Sequence, residues 1–161
     1  MPKPSDHKTN AARVLDAAGL AYEFRTFECA DEVPSGVEVA RMLGLDPDQV
    51  FKTLVTVGKT GSNFVFMIPV ASELDLKKAA RAVGEKSIAM IKSRELLPLT
   101  GYVHGGCSPI GMKKPFPTVV DETAQLYDTI YFSAGRIGCQ IEMSSDDLGK
   151  AIDLSYADLT A

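Results

Sequence analysis

Histidine is scarce in this chain of 161 residues, occurring only at His7 and His104. A Ser-His-Asp or Cys-His triad would have to use His104, with Ser108 or Cys107 as its nucleophile. Those residues share one short loop, whereas triads draw their members from separate elements. Cysteine is sparse as well: Cys29, Cys107 and Cys139 form no C-x-x-C pair and no Cys/His set with zinc spacing. They read as free thiols, buried or half-buried, and neither a metal nor a cofactor is expected. No G-x-S-x-G elbow, Walker A loop or dinucleotide fingerprint occurs. No apolar run approaches the roughly eighteen residues that cross a bilayer, and residues 1–13 carry no signal-peptide core. The expected compartment is the cytoplasm, with no membrane partner. Repeats, low-complexity blocks and Pro/Gly/Ser linkers are missing too.

What remains is an ordinary globular composition, 45% hydrophobic and 24% charged. The length suits one core, so residues 1–9 read as a loose tail and residues 10–161 as a single domain. A net charge of −4 argues against a bulk nucleic-acid binder. The charge is unevenly spread, however. Between Lys77 and Lys114 there are eight bases and two acids, Glu85 and Glu95. A basic stripe on an acidic body fits a polyanion that touches one face; a set of solvated helix faces would look the same.

Apolar Ala11, Val14, Leu15 and Ala18 recur at helical spacing, and Gly19 sits where that helix would end. Residues 21–27 alternate like a strand. Ser35 with Glu38 is a capping-box signature for a short helix stopping at Gly44, and Asp46-Pro47 offers a second helix start. Residues 51–57 and 63–70 read as strands joined by a hairpin turn at 58–62. Residues 75–83 follow a helix pattern closed by Gly84, with a short strand at 87–91 and a helical turn from Ser93 after it. The glycine-rich stretch 101–111 reads as strand, tight turn, strand, with 117–121 extended. Residues 129–132 and 139–143 are further strands, and Ser144 or Ser145 caps a last helix. Short strands interleaved with short helices predict an α+β fold with a mixed sheet.

Two features carry candidate chemistry. Lys52 places a cation on an apolar strand, on the face it shares with Leu54 and Thr56. Such a lysine either snorkels to water, the commoner outcome, or faces an anionic or polarised ligand. The other feature is Gly101-Tyr102-Val103-His104-Gly105-Gly106-Cys107-Ser108-Pro109-Ile110-Gly111. Adjacent glycines can turn backbone N–H groups outward. Such groups hold the oxyanion that forms when an ester carbonyl is attacked. A strained turn with no ligand is the alternative.

Four ordered blocks give these features a context. They are Leu45-Asp46-Pro47-Asp48-Gln49-Val50-Phe51-Lys52-Thr53-Leu54; Pro69-Val70-Ala71 with Leu74-Asp75-Leu76-Lys77-Lys78; the glycine-rich stretch with Lys113-Lys114; and Gly138-Cys139-Gln140-Ile141-Glu142. In this order they resemble the YbaK/EbsC family, related to the editing insertion of bacterial prolyl-tRNA synthetases. The resemblance runs from Phe24 to Ala157, most of the chain. It implies a single-domain α+β fold, a mixed, mostly antiparallel curved sheet flanked by helices. It also implies a deacylase acting in trans on aminoacyl-tRNA, typically removing cysteine mischarged on tRNA for proline, with prolyl-tRNA synthetase as a candidate partner.

The same resemblance makes Lys52 and Gly105 the catalytic candidates and puts Thr53 and Leu54 in the pocket. Phe27 stands where some members have tyrosine, and Gln140 where some have aspartate, so both bear on amino-acid specificity. Gly106 and Ser108 of the glycine-rich stretch complete the substrate-binding candidates. Lys77, Lys78, Lys113 and Lys114 of the basic stretch are the tRNA-contact candidates. An aminoacyl ester is already activated, and the thiol of a cysteinyl ester can attack its own carbonyl, which accounts for a missing triad. Two other expectations stand beside this one: a deacylase of alanyl-tRNA, and a non-catalytic module that docks on a tRNA or a synthetase.

Overall fold

The computed structural model describes residues 9–28 and 32–161. His7, Cys29 and all of the expected tail except Thr9 lie outside the described residues. Thr9 opens helix α1 (Asn10–Ala17), its hydroxyl accepting the Ala12 N–H, and the helix buries Ala11, Ala12 and Leu15. Strand β1 (Glu23–Thr26) follows. The Ser35–Glu38 capping box forms as expected and opens α2 (Gly36–Met42). Asp46-Pro47, by contrast, starts no helix. The Asp46 carboxylate takes the Asp48 N–H and its carbonyl takes the Gln49 N–H, closing a single turn before the next strand.

Strands β2 (Phe51–Gly58) and β3 (Asn63–Pro69) form the expected hairpin. Helix α3 (Leu76–Val83) runs from the Asp75 cap to Gly84, which adopts the left-handed conformation at φ 73°. Then come β4 (Ile88–Met90), α4 (Ser93–Thr100), β5 (Thr118–Asp121), a 3-10 turn (Glu122–Leu126), β6 (Ile130–Ser133) and β7 (Cys139–Met143). Ser144 caps α5 (Ser145–Leu148), and β8 (Leu154–Ala157) is a strand the sequence reading did not anticipate.

The α+β class holds, with a difference of detail. The strands form two sheets instead of one: an antiparallel β1-β7-β6 and a mixed β4-β2-β3-β5-β8, in which β5 runs parallel to both neighbours. A lone bridge from Val50 to Tyr131 links them. The main core lies between the sheets, where Phe51, Met67 and Val120 meet Phe132, Ile141 and Leu15 of α1. On the other face of the large sheet Phe66, Ile68 and Val119 pack under Ala79 and Ala80 of α3. Strand β3 is thus covered on both sides, which explains its unbroken apolar run. Each large side chain fully buried there contributes about 1.5–3 kcal/mol. The packing holds β2 rigidly, and β2 carries Lys52.

Candidate active site

Strand β4 pairs with only the last part of β2, Thr56 to Gly58, and one more bond from the Ile91 N–H to the Val55 carbonyl extends the ladder. The first half of β2 is left as an open edge. Alternate residues of a strand send their backbone groups to the same side. Thr53, two residues before Val55, therefore turns its N–H and C=O toward that open edge. A cavity of about 380 Å³ fills the gap, within the range of about 300–1,000 Å³ typical of small-ligand sites.

Lys52, Thr53, Leu54, Gly105 and Gln140 line this one cavity together. Lys52 is half-buried, opposite Ile68 in the hairpin, and its side chain makes no hydrogen bond or ion pair with a described residue. Its ammonium is left for something else.

Gly105 faces it from a loop, not from the strand-turn-strand expected at 101–111: no strand forms between Thr100 and Thr118. The loop is pinned from below. The buried Tyr102 takes its N–H to the Thr100 hydroxyl and donates its own hydroxyl to the Ile110 carbonyl. These bonds close the stretch into a compact arch that a strand ladder cannot follow. Gly106 donates its N–H to the Val103 carbonyl, while the Gly105 N–H has no acceptor among the described residues. Gly105 sits at φ 84°, and a β-carbon there would lie 2.5 Å from Val33 Cγ1. Only glycine fits this arch.

Gln140, on β7, is 8% exposed, and its Oε1 has no hydrogen-bond partner. The Thr53 hydroxyl oxygen is buried and unpartnered in the same way. No other buried side-chain polar atom among the described residues is left so, and both of these residues line the cavity. Leaving such an atom dry costs about 1–3 kcal/mol. That both occur here marks a place where a polar ligand belongs.

The remaining candidates lie elsewhere. Ser108 is fully buried, accepts the Ile110 N–H and does not line the cavity. Gly106 packs against the backbone of Arg136 and Ile137, where a β-carbon would come within 3.0 Å of the Ile137 nitrogen. Phe27 is half-buried at the end of β1 and donates its N–H to the Gly138 carbonyl. Lys78 is engaged by the Asp158 carboxylate and the Thr160 carbonyl. Lys77, Lys113 and Lys114 are exposed and outside the lining.

His104 and Cys107 do reach the cavity. Burial pushes the Cys107 thiol up to about 12, so it is no thiolate near neutral pH. Cys107 and Cys139 are free and buried. Among the described residues no group of three His, Cys, Asp or Glu could hold a metal ion. No described helix is long and apolar enough to cross a membrane. Several lining residues carried no sequence signal of their role: Ser35, Gly36 and Val39 of α2, Ser93 and Leu96 of α4, and Ser133 of β6. The capping box located the start of α2, but nothing local says that this start abuts β2. Gly36 lets the helix start close on Val70, which follows β3 and bonds back to Val50 ahead of β2: a β-carbon at Gly36 would lie 2.5 Å from Val70 Cγ1.

A model of the aminoacyl-tRNA editing domain matches residues 30–151. The chain belongs to that family. Over 158 residues it is 42% identical to EbsC of Enterococcus faecalis, a protein named as a candidate Cys-tRNA(Pro)/Cys-tRNA(Cys) deacylase; the match covers 98% of this chain and 96% of that one. It is 31% identical over 108 residues to a proline–tRNA ligase of Pelobacter propionicus, covering 65% of this chain and 19% of the ligase. A solved structure described as a candidate trans-editing enzyme for prolyl-tRNA synthetase superposes on this editing domain with a TM-score of 0.83 at 26% identity. The superposition covers 100% of this chain and 99% of that one.

Proposed function

We propose that this protein is an aminoacyl-tRNA deacylase acting in trans, which removes cysteine wrongly attached to tRNA for proline. The observation that carries the reading is a single cavity lined by the residues that hold an unpaired ammonium, a glycine N–H with no acceptor and two orphaned polar atoms, with no hydrogen-bonded Ser–His or Cys–His pair among the described residues. In this reading the Gly105 N–H donates to the oxygen that becomes the oxyanion. The Lys52 ammonium sits at the ester and its neighbouring phosphate, where negative charge concentrates. Gln140 Oε1 and Thr53 Oγ1 accept hydrogen bonds from the α-ammonium of the substrate, which ends their isolation.

The chemical step needs only orientation. The cysteinyl sulfur attacks its own carbonyl carbon, the bond from that carbon to the ribose oxygen breaks, and the thiol proton ends on the ribose hydroxyl. The products are a cyclic thiolactone and uncharged tRNA. Holding thiol and carbonyl in reach supplies the rate gain that positioning gives an intramolecular reaction. Gln140 brings a neutral amide where some relatives carry a carboxylate, and this favours a second reading, in which water attacks an alanyl ester held in the same cavity. The cavity admits an aminoacyl end and no tRNA stem, so prolyl-tRNA synthetase is the partner that would confer tRNA choice. In this reading the protein works in the cytoplasm, alongside its substrate.

A deacylation panel separates these readings. Cysteinyl-, alanyl- and seryl-tRNA for proline are incubated with the protein, with and without prolyl-tRNA synthetase. Loss of the cysteinyl ester alone supports thiol attack, and loss of the alanyl ester supports attack by water. Binding of tRNA with no ester lost above buffer would sink both and leave a docking module.

A further inference from the structure

The two lips of the cavity differ in charge. One is the approach to α2, where Val33 lies against Gly105 and the exposed acids Glu32 and Glu38 flank the lining residues Ser35 and Gly36. The other runs from the end of β4 into α4, where Met90, Ile91, Ser93 and Leu96 line the cavity. Lys92 and Arg94 stand exposed between them and pair with no described residue. The one acid on this lip, Glu95, accepts the Lys92 backbone N–H at the start of the helix. In helical projection Leu97 stands about 40° round the helix from the lining residue Ser93 and borders the mouth, while Arg94 stands about 60° further round, on the outer side of the lip. Met90 and Leu97 are large apolar side chains left 48% and 52% exposed at this rim.

We infer that the acceptor strand of the tRNA leaves the cavity over the β4–α4 lip, with its phosphates on Lys92 and Arg94 and an unpaired base against Met90 and Leu97. The inference rests on the deacylase reading and adds a direction and a footprint to it. A polyanion anchored by its ester inside the cavity is repelled by the acidic lip and attracted by the basic one. An apolar rim flanked by bases suits single-stranded RNA, whose bases offer a flat face and whose phosphates follow the cations. Lys92 and Arg94 are not among the lysines the basic stretch first suggested for this role.

The test compares two substrates on the same protein, cysteinyl-tRNA for proline and the 3′-cysteinyl ester of adenosine, which has no acceptor strand. The variants are Lys92→Ala, Arg94→Glu and the double variant. Lys92 makes no side-chain bond to the helix start, so its replacement spares the cap. Lys150→Ala, on the wall of a separate pocket, is the control matched in charge to Lys92→Ala. The double variant is expected to lose at least tenfold in kcat/KM on the tRNA and less than twofold on the adenosine ester. The slope of log kcat/KM against log salt should fall by about one to two, as for the loss of one or two phosphate contacts. Wild-type rates and salt slope on the tRNA would overturn the inference, as would equal losses on both substrates or an equal loss in Lys150→Ala. Wild-type protein that cleaved neither substrate would overturn the deacylase reading itself, and this footprint with it.

Discussion

At position 105 a side chain would meet two separate obstacles, a backbone at φ 84° and the Val33 methyl 2.5 Å from the new β-carbon. Forcing a non-glycine residue into such a conformation costs about 1–3 kcal/mol. Gly105→Ala is therefore expected to lower the thermal midpoint by several degrees and to reduce deacylation far beyond that loss of fold. Adding Val33→Ala relieves the contact but not the dihedral, so the double variant should regain part of the midpoint and none of the activity. Recovery of both would mean that Gly105 is a packing residue with no role at the ester. Gln140 makes the complementary case. Its cost is an unpartnered oxygen instead of a strained backbone, and in both places an unfavourable local arrangement coincides with the cavity.

Strand β7 shows how one element serves site and stability together. Gln140 and Glu142 share a face; the first lines the cavity and the second lies one step outward, opposite Tyr131 of β6. Burial alone would raise the Glu142 pKa, but hydrogen bonds from Arg25, Thr129 and Tyr131 outweigh it and hold the carboxyl below its ordinary range. A depressed carboxylate stabilises the fold above its unfolded value of about 4.3 and loses that contribution as pH falls through the lower folded value. The thermal midpoint of wild type should thus exceed that of Glu142→Gln at pH 7, and the difference should shrink as the pH falls below 4. A difference that stays constant down to pH 3 would show that the carboxylate charge contributes nothing.

Elements with local signals were legible from sequence. The capping box at Ser35 and Glu38, the 58–62 turn and the Asp75-to-Gly84 helix all form where expected, because caps and turns act within a few residues. The stretch 101–111 misled because its four glycines argue against a helix and leave strand, turn, strand as the regular alternative; a buried tyrosine hydroxyl folds it back on itself instead. Strand β8 left no mark because it is four residues long and owes its state to parallel pairing with β5. Lys52 and Gly105 could be picked out one by one. Their meeting with Gln140 on the other sheet is a tertiary fact with no local signature.

For the molecule as a whole, the cavity exists because the two sheets do not cover β2 evenly. The pairing of β4 stops at Thr56, the small sheet joins the start of β2 at the Val50–Tyr131 bridge, and the glycine arch spans what is left. The gap is polar where the orphaned atoms sit and apolar along α2 and α4, a division that suits an ammonium-bearing ester with a small side chain. The most direct test is single-turnover deacylation of cysteinyl-tRNA for proline by wild type and Lys52→Ala, with thermal midpoints measured alongside. Loss of a preorganised charge at a developing oxyanion costs about a hundredfold or more. The expected result is ester loss well above buffer for wild type and a drop of that size for Lys52→Ala at an unchanged midpoint. A Lys52→Ala protein as fast as wild type would contradict the account.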